Sequence, residues 1–227
     1  MARLTSGSAS GADQIDFDST ATSLSGATFS VVVWFKSPDN AVGSDFANIY
    51  FQGNDFPGTL SLQMKQSGVV NYFLRDDSSN LISLNSGVVD DGNWHWIFVV
   101  KRSNTDHQYY MDGVSQGTSA TSVGTYTPTL SEVAANGLNT LPVGGAITRI
   151  MLWRRALTLD EARNAAYYGM IKGGGAPGVL WAELGFATTE PDWSGSGNNS
   201  TAIGANSTFN TEFRGLGAKL SSMGAGA

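Results

Sequence analysis

The chain has 227 residues, with 13 Lys and Arg against 19 Asp and Glu, a net charge of −6 and no cysteine. This excludes the clustered cations a nucleic-acid surface needs and any scaffold stapled by disulfides or thiolate-bound zinc. With 28 glycines and only 14% charged residues, the composition suits short strands joined by tight turns, not a helical bundle.

Residues 1–12 are polar and rich in Ser and Gly, with no apolar core of signal-peptide length, so an amino-terminal arm without a secretion signal is expected. The first strand pattern is the alternation Gln14-Ile15-Asp16-Phe17-Asp18, and residues 28–36 follow as a β-branched and aromatic run of central-strand type. Ser37-Pro38-Asp39-Asn40 stops that run, since proline cannot donate to a ladder and Asp and Asn close turns locally. Further strands are predicted over 47–52, 59–65, 69–75, 81–84, 94–102, 108–111, 114–118 and 146–153, separated by Gly, Asn, Asp and Ser clusters. Asp112-Gly113 supplies the two positive φ angles of a two-residue hairpin.

One helix is predicted. Thr158 and Glu161 stand three apart as a capping box, Asp160 and Glu161 suit the positive end of the dipole, and Gly169 is a left-handed stop. It is expected to lie as a lid on a sheet edge or end. A strand resumes over 179–184, and residues 208–227 are expected to form a flexible tail after a domain spanning 13–207. No apolar run approaches the roughly 20 residues of a membrane-spanning helix, so no membrane insertion is expected. The spacing predicts an all-β, two-sheet antiparallel sandwich or jelly roll with one short helix.

The aromatic strand 29–35, Asp91-Gly92-Asn93-Trp94-His95, Tyr110-Met111-Asp112-Gly113 and the segment 147–157 running into the capped helix occur in a characteristic order. The chain thereby resembles the laminin G-like, concanavalin A-like jelly-roll superfamily over about residues 13 to 205. The resemblance implies two face-packed antiparallel sheets, one often concave, and members that mostly bind glycans or proteins, some through calcium, with a minority of glycosidases. Thr148-Arg149 stands where relatives often carry an acidic pair, which puts any role of those acids in doubt.

No glutamate among Glu132, Glu161, Glu183, Glu190 and Glu212 has a second acid two or four positions away on one strand, so no catalytic residues and no enzyme are expected. The acidic turns at Asp76-Asp77, Asp90-Asp91, Asp45 and Asp55 leave calcium open without an assigned site; their plainer role is turn formation. His95 alternates away from Trp94 and Trp96 and is expected to make a structural contact or hydrogen bond. Trp34, Trp94, Trp96, Trp153 and Trp181 read as core, while Trp193, Phe56 and Tyr126 lie in loops and are the candidate ligand contacts.

Two functions are expected from this reading. The first is a non-enzymatic virion structural protein of the tailed-phage type, a homo-oligomeric capsid decoration or appendage protein assembled in the host cytoplasm and contacting major capsid or other virion proteins. The alternative is a calcium-assisted, lectin-like adhesion module that binds surface glycans. Neither involves nucleic acid.

Overall fold

The computed structural model describes residues 2–5, 14–26, 28–37, 46–54, 58–133, 145–169, 178–184, 189–203 and 208–210. In chain order the elements are β1 (Ala2–Thr5), β2 (Ile15–Asp16), β3 (Phe29–Lys36), β4 (Phe46–Gly53), β5 (Thr59–Lys65), β6 (Val69–Arg75), β7 (Leu81–Val88) and β8 (Trp94–Ser103). They continue with β9 (Asp106–Met111), β10 (Val114–Ser119), β11 (Leu130–Val133), β12 (Gly145–Trp153), α1 (Leu159–Tyr168), β13 (Leu180–Glu183), β14 (Ala202–Ile203) and β15 (Thr208–Asn210). Sheet A runs β10-β9-β8-β3-β12-β1-β15, with β13 also paired to β12; sheet B runs β14-β2-β11-β4-β5-β6-β7. All of these pairings are antiparallel, as a jelly-roll sandwich requires.

Strand alternation divides β3 and β8 between two apolar layers. Val31, Val33, Phe35, Ile97 and Val99 face sheet B in the main core, with Leu60, Leu62, Tyr72, Leu74 and Tyr109. Val32, Trp34, Trp96, Phe98 and Val100 face the other way and, with Met151 and Trp153, pack under α1. Central strands buried on both faces explain the unbroken apolar runs. Trp34, Trp96 and Trp153 are buried and Trp94 is half-buried, as expected of core residues; the side chain of Trp181 lies outside the described set.

The helix forms as its termini predict. Thr158 Oγ1 accepts from the Glu161 backbone N–H at 3.2 Å, Glu161 Oε2 accepts from the Thr158 N–H at 2.8 Å, and Gly169 ends the helix at φ 66°. Its position differs from expectation: α1 lies over the central strands of sheet A, not on an edge or end. Small buried Ala162, Ala165 and Ala166 let it approach closely. The Trp34 indole donates to the Ala166 carbonyl at 2.8 Å, and the Arg149 guanidinium donates to the carbonyls of Ala165 and Ala166. These donors satisfy the Ala166 carbonyl, add to the Gly169 N–H that the Ala165 carbonyl already accepts, and bring a cation to the negative end of the dipole. Arg149, which replaces an expected acid, thus serves the helix.

The expected arm 1–12 and tail 208–227 each contain one short described strand. Within residues 1–12, β1 is inserted between β12 and β15, and β15 lies within 208–227, so both termini contribute to sheet A. Residues 211–227 lie outside the described set.

Candidate functional site

Sheet B has one face on the core and one turned away from it. Leu60, Leu62 and Met64 of β5 and Val70, Tyr72 and Leu74 of β6 point inward, which leaves Ser61, Gln63, Lys65, Asn71, Phe73 and Arg75 on the outer face. In β4, plain alternation would place Asn48 inside with Tyr50 and Gln52. A bulge at Ile49 inserts one residue between the Asn48–Gln63 and Tyr50–Leu62 pairs and turns Asn48 outward.

Two cross-strand rows result. One runs Glu132, Phe51, Ser61, Phe73, Ser83, with Asp16 paired to Glu132 at its far end; the other runs Asn48, Gln63, Asn71, Asn85. Burial increases along them. Ser83 and Asn85 are exposed, Gln63 and Phe73 are half-buried, and Ser61, Asn48, Phe51 and Glu132 are buried. The face is therefore open at β7 and closes toward β11.

Several polar groups here are tied down. Asn71 Nδ2 donates to Ser83 Oγ, the Leu84 carbonyl and Asn85 Oδ1 at 2.9 to 3.1 Å, and Lys65 Nζ donates to Asn85 Oδ1 at 3.0 Å. Gln14 Nε2 donates to Asp16 Oδ1 and to Glu132 Oε1, and burial pushes the Asp16 carboxyl upward against that hydrogen bond. Asn48 Oδ1, Asn48 Nδ2 and Ser61 Oγ are buried with no hydrogen-bond partner. Single orphan atoms also occur at the Tyr72 hydroxyl and the Trp96 and Trp153 indoles. Asn48 differs because its whole amide, donor and acceptor together, is unsatisfied on a polar face. Amide donors and acceptors in line with two phenyl rings suit a ligand with many hydroxyls and an apolar ring face.

A separate cleft of about 480 Å³ is lined by Thr20, Ser23, Ser25, Gly26, Tyr126, Thr127, Pro128 and Arg154. The loop candidate Tyr126 lines it but is buried. Its hydroxyl turns inward to donate to Gln52 Oε1 at 2.7 Å, in a network where Gln52 Nε2 donates to the Thr22 carbonyl and the Tyr50 hydroxyl. Burial holds the Tyr126 phenol well above its ordinary pKa. The candidate ligand contact Tyr126 is thus a buried anchor whose ring lines the cleft. Trp193 is 54% exposed beside the Ala182–Asp192 bridge and does not line the cleft. Phe56 lies outside the described residues.

His95 makes the hydrogen bonds expected of it. Its Nδ1 lies 2.7 Å from Asp112 Oδ2 and its Nε2 lies 3.0 Å from Asp91 Oδ1. Asp112 Oδ1 also accepts from the Trp96 N–H at 2.9 Å, and the hairpin residues Asp112 and Gly113 take φ values of 53° and 80°. Two flanking carboxylates favour the imidazolium: the Asp112 hydrogen bond leads in raising the His95 pKa, and His95 holds the Asp91 carboxyl far below the usual range. The group clamps the hairpin to the preceding turn.

The described acidic turns are engaged in hydrogen bonds. Among the described residues no group of three or more His, Cys, Asp and Glu side chains is arranged to hold a metal ion. Asp76 is occupied by Asn80 N, Asn80 Nδ2 and Gly124 N at 2.8 to 2.9 Å, and Asp77 holds Thr127. Asp45 and Asp55 lie outside the described residues.

Comparison with known folds agrees with this architecture. The structure is similar to the CBM40 domain of the Ruminococcus gnavus IT-sialidase, described as bound to α2,3-sialyllactose, at TM-score 0.55 and 17% identity over 72% of this chain and 95% of that one. It is also similar to domain 4 of AbnA, a GH43 arabinanase from Geobacillus stearothermophilus in complex with arabinotriose, at TM-score 0.51 and 16% identity over 63% and 68%. A heptameric SAP-like pentraxin from Limulus polyphemus gives TM-score 0.50 and 14% identity over 84% and 85%. No curated protein sequence matches the chain. At these identities the likeness speaks for the fold. The family model described as the concanavalin A-like lectin/glucanases superfamily matches residues 9–163, more than half of the sequence, and the chain belongs to that superfamily.

Proposed function

We propose that the chain is a non-catalytic carbohydrate-binding module that holds an oligosaccharide on the outer face of sheet B. The observation that carries this reading is the buried, unpartnered Asn48 amide, turned by the Ile49 bulge onto a face of amides and phenyl rings. A sugar hydroxyl can donate to Oδ1 while a neighbouring oxygen accepts from Nδ2, relieving a desolvation cost the fold otherwise carries. Phe73 and Gln63 meet the ligand first at the open end, and Ser61 lies beyond them. The sialyllactose and arabinotriose bound by the CBM40 and AbnA domains support the ligand class. None of the three similar structures supports the virion role, capsid partners or host-cytoplasmic assembly expected from the sequence.

Glycan-array screening followed by calorimetry tests this. Two uncharged hydrogen bonds are together worth about 1–3 kcal/mol, so Asn48→Ala should weaken the best ligand roughly 5- to 150-fold. Binding that is unchanged in Asn48→Ala contradicts the site.

A second reading, glycoside hydrolysis, has one observation in its favour: Asp16 and Glu132 are direct cross-strand partners, and the first carries a raised pKa. Reducing-sugar release that disappears in Asp16→Asn would establish it in place of binding alone.

A further inference from the structure

We propose that the cleft around Arg154 is a second binding site, independent of the sheet B face, for a sugar unit or hydroxy acid bearing a carboxylate or sulfate. Among the described residues, Arg154 is the only charged side chain lining the cleft, and Thr20, Ser23, Ser25 and Thr127 surround it with hydroxyls. The volume falls within the roughly 300–1,000 Å³ of small-molecule sites.

No carboxylate among the described residues pairs with this cation. Arg102, Arg155 and Arg163 each pair with a carboxylate, Asp106, Glu161 and Asp160 respectively. Arg154 instead donates from Nε to the Ser23 carbonyl at 2.9 Å and from Nη2 to the Ala21 carbonyl at 2.8 Å. Those bonds fix the planar guanidinium and leave the Nη1 N–H groups for an incoming anion. A donor fork already held in place spares the ligand the entropy of ordering a long side chain. Asp18 Oδ1 accepts from the N–H groups of Thr20 and Ala21, and Asp77 binds Thr127, so these carboxylates are held by backbone and hydroxyl donors. Tyr126 and Pro128 add apolar surface, and the Tyr126 hydroxyl is committed to Gln52. Together these select hydroxyls plus one negative charge.

The test is titration, followed by NMR, with glucuronic acid, glucose 6-sulfate, glucose and inorganic sulfate. Tighter binding of glucuronic acid assigns a carboxylate ligand, and tighter binding of glucose 6-sulfate assigns a sulfated one. Either should bind at least tenfold more tightly than glucose and inorganic sulfate, and Arg154→Gln should abolish the difference. Because Arg154 also braces the 21–23 backbone, Gly26→Leu provides an independent block: a Cβ at Gly26 meets only the Thr28 carbonyl oxygen, at 4.0 Å, and its φ is not left-handed. That variant should lose the anionic sugars and keep its fold. Asn48→Leu should retain them, which separates this site from the sheet B face. The proposal is overturned if glucose or inorganic sulfate binds as well as the sugar anions, if none of the probes binds, or if binding survives Gly26→Leu.

Discussion

Replacing Asn48 by leucine should make the protein more stable and less able to bind. The Asn48 amide is fully buried and neither of its polar atoms has a partner, so folding strips it of water without compensation. A buried, unsatisfied polar group costs about 1–3 kcal/mol, and a leucine, with the same branching and number of heavy atoms though a larger volume, removes that cost without opening a cavity. For a chain of this size each kcal/mol moves the melting temperature by about 2–4 °C, so Asn48→Leu should melt roughly 2–12 °C higher than the parent. The same change deletes the donor and acceptor proposed for the sugar and should weaken binding roughly 5- to 150-fold. Thermal and urea denaturation measured beside calorimetric titration separate the two effects. A less stable variant would mean the amide is satisfied in the folded protein, and the reasoning for the site would fail with it.

The His95 clamp should give a pH-dependent contribution to stability. A raised histidine pKa contributes fully below about 6.5 and fades as pH rises through the folded value, so the melting-temperature gap between parent and His95→Gln should be largest near pH 5.5 and shrink toward pH 8.5; a gap that is constant or widening would contradict the clamp. Thr158→Ala breaks the capping box and should cost about 1 kcal/mol in urea denaturation while leaving glycan affinity unchanged. Gly68 sits at φ +75° with its missing Cβ position 2.1 Å from Asp90 Oδ1, so Gly68→Ala should destabilise by at least about 1–3 kcal/mol, and a neutral result would exclude this turn geometry. Tyr126→Phe removes one buried hydrogen bond to Gln52 and should cost about 0.5–1.5 kcal/mol without affecting sugar binding on sheet B.

The parts of the fold that were readable from sequence are those in which one residue type has one local consequence. The apolar run of β3 announces a strand buried on both faces, the Thr158 and Gly169 caps bound α1, and Asp112-Gly113 makes its hairpin. The outer face of sheet B was hidden for a specific reason. Asn48 alternates with Tyr50 and Gln52 in the sequence and reads as sharing their face, and only the extra residue in the ladder reverses it. Cross-strand neighbours far apart in sequence are equally silent. Asp16 and Glu132 meet because the short β11, preceded by polar loops, inserts between β2 and β4. The strands β1 and β15 are three or four residues long and gain order from pairing with each other and with β12, which composition does not encode. Tyr126 stands in a polar loop, and its inward hydrogen bond is to Gln52, more than 70 positions away.

The central claim, a glycan held on the outer face of sheet B, is tested most directly by mapping backbone and side-chain amide shifts during titration with the best oligosaccharide from an array. The account predicts shifts concentrated on Asn48, Ser61, Gln63, Asn71 and Phe73, with the Asn48 side-chain amide among the largest. Shifts confined to the helix side of sheet A, or an array on which no glycan binds, would contradict it.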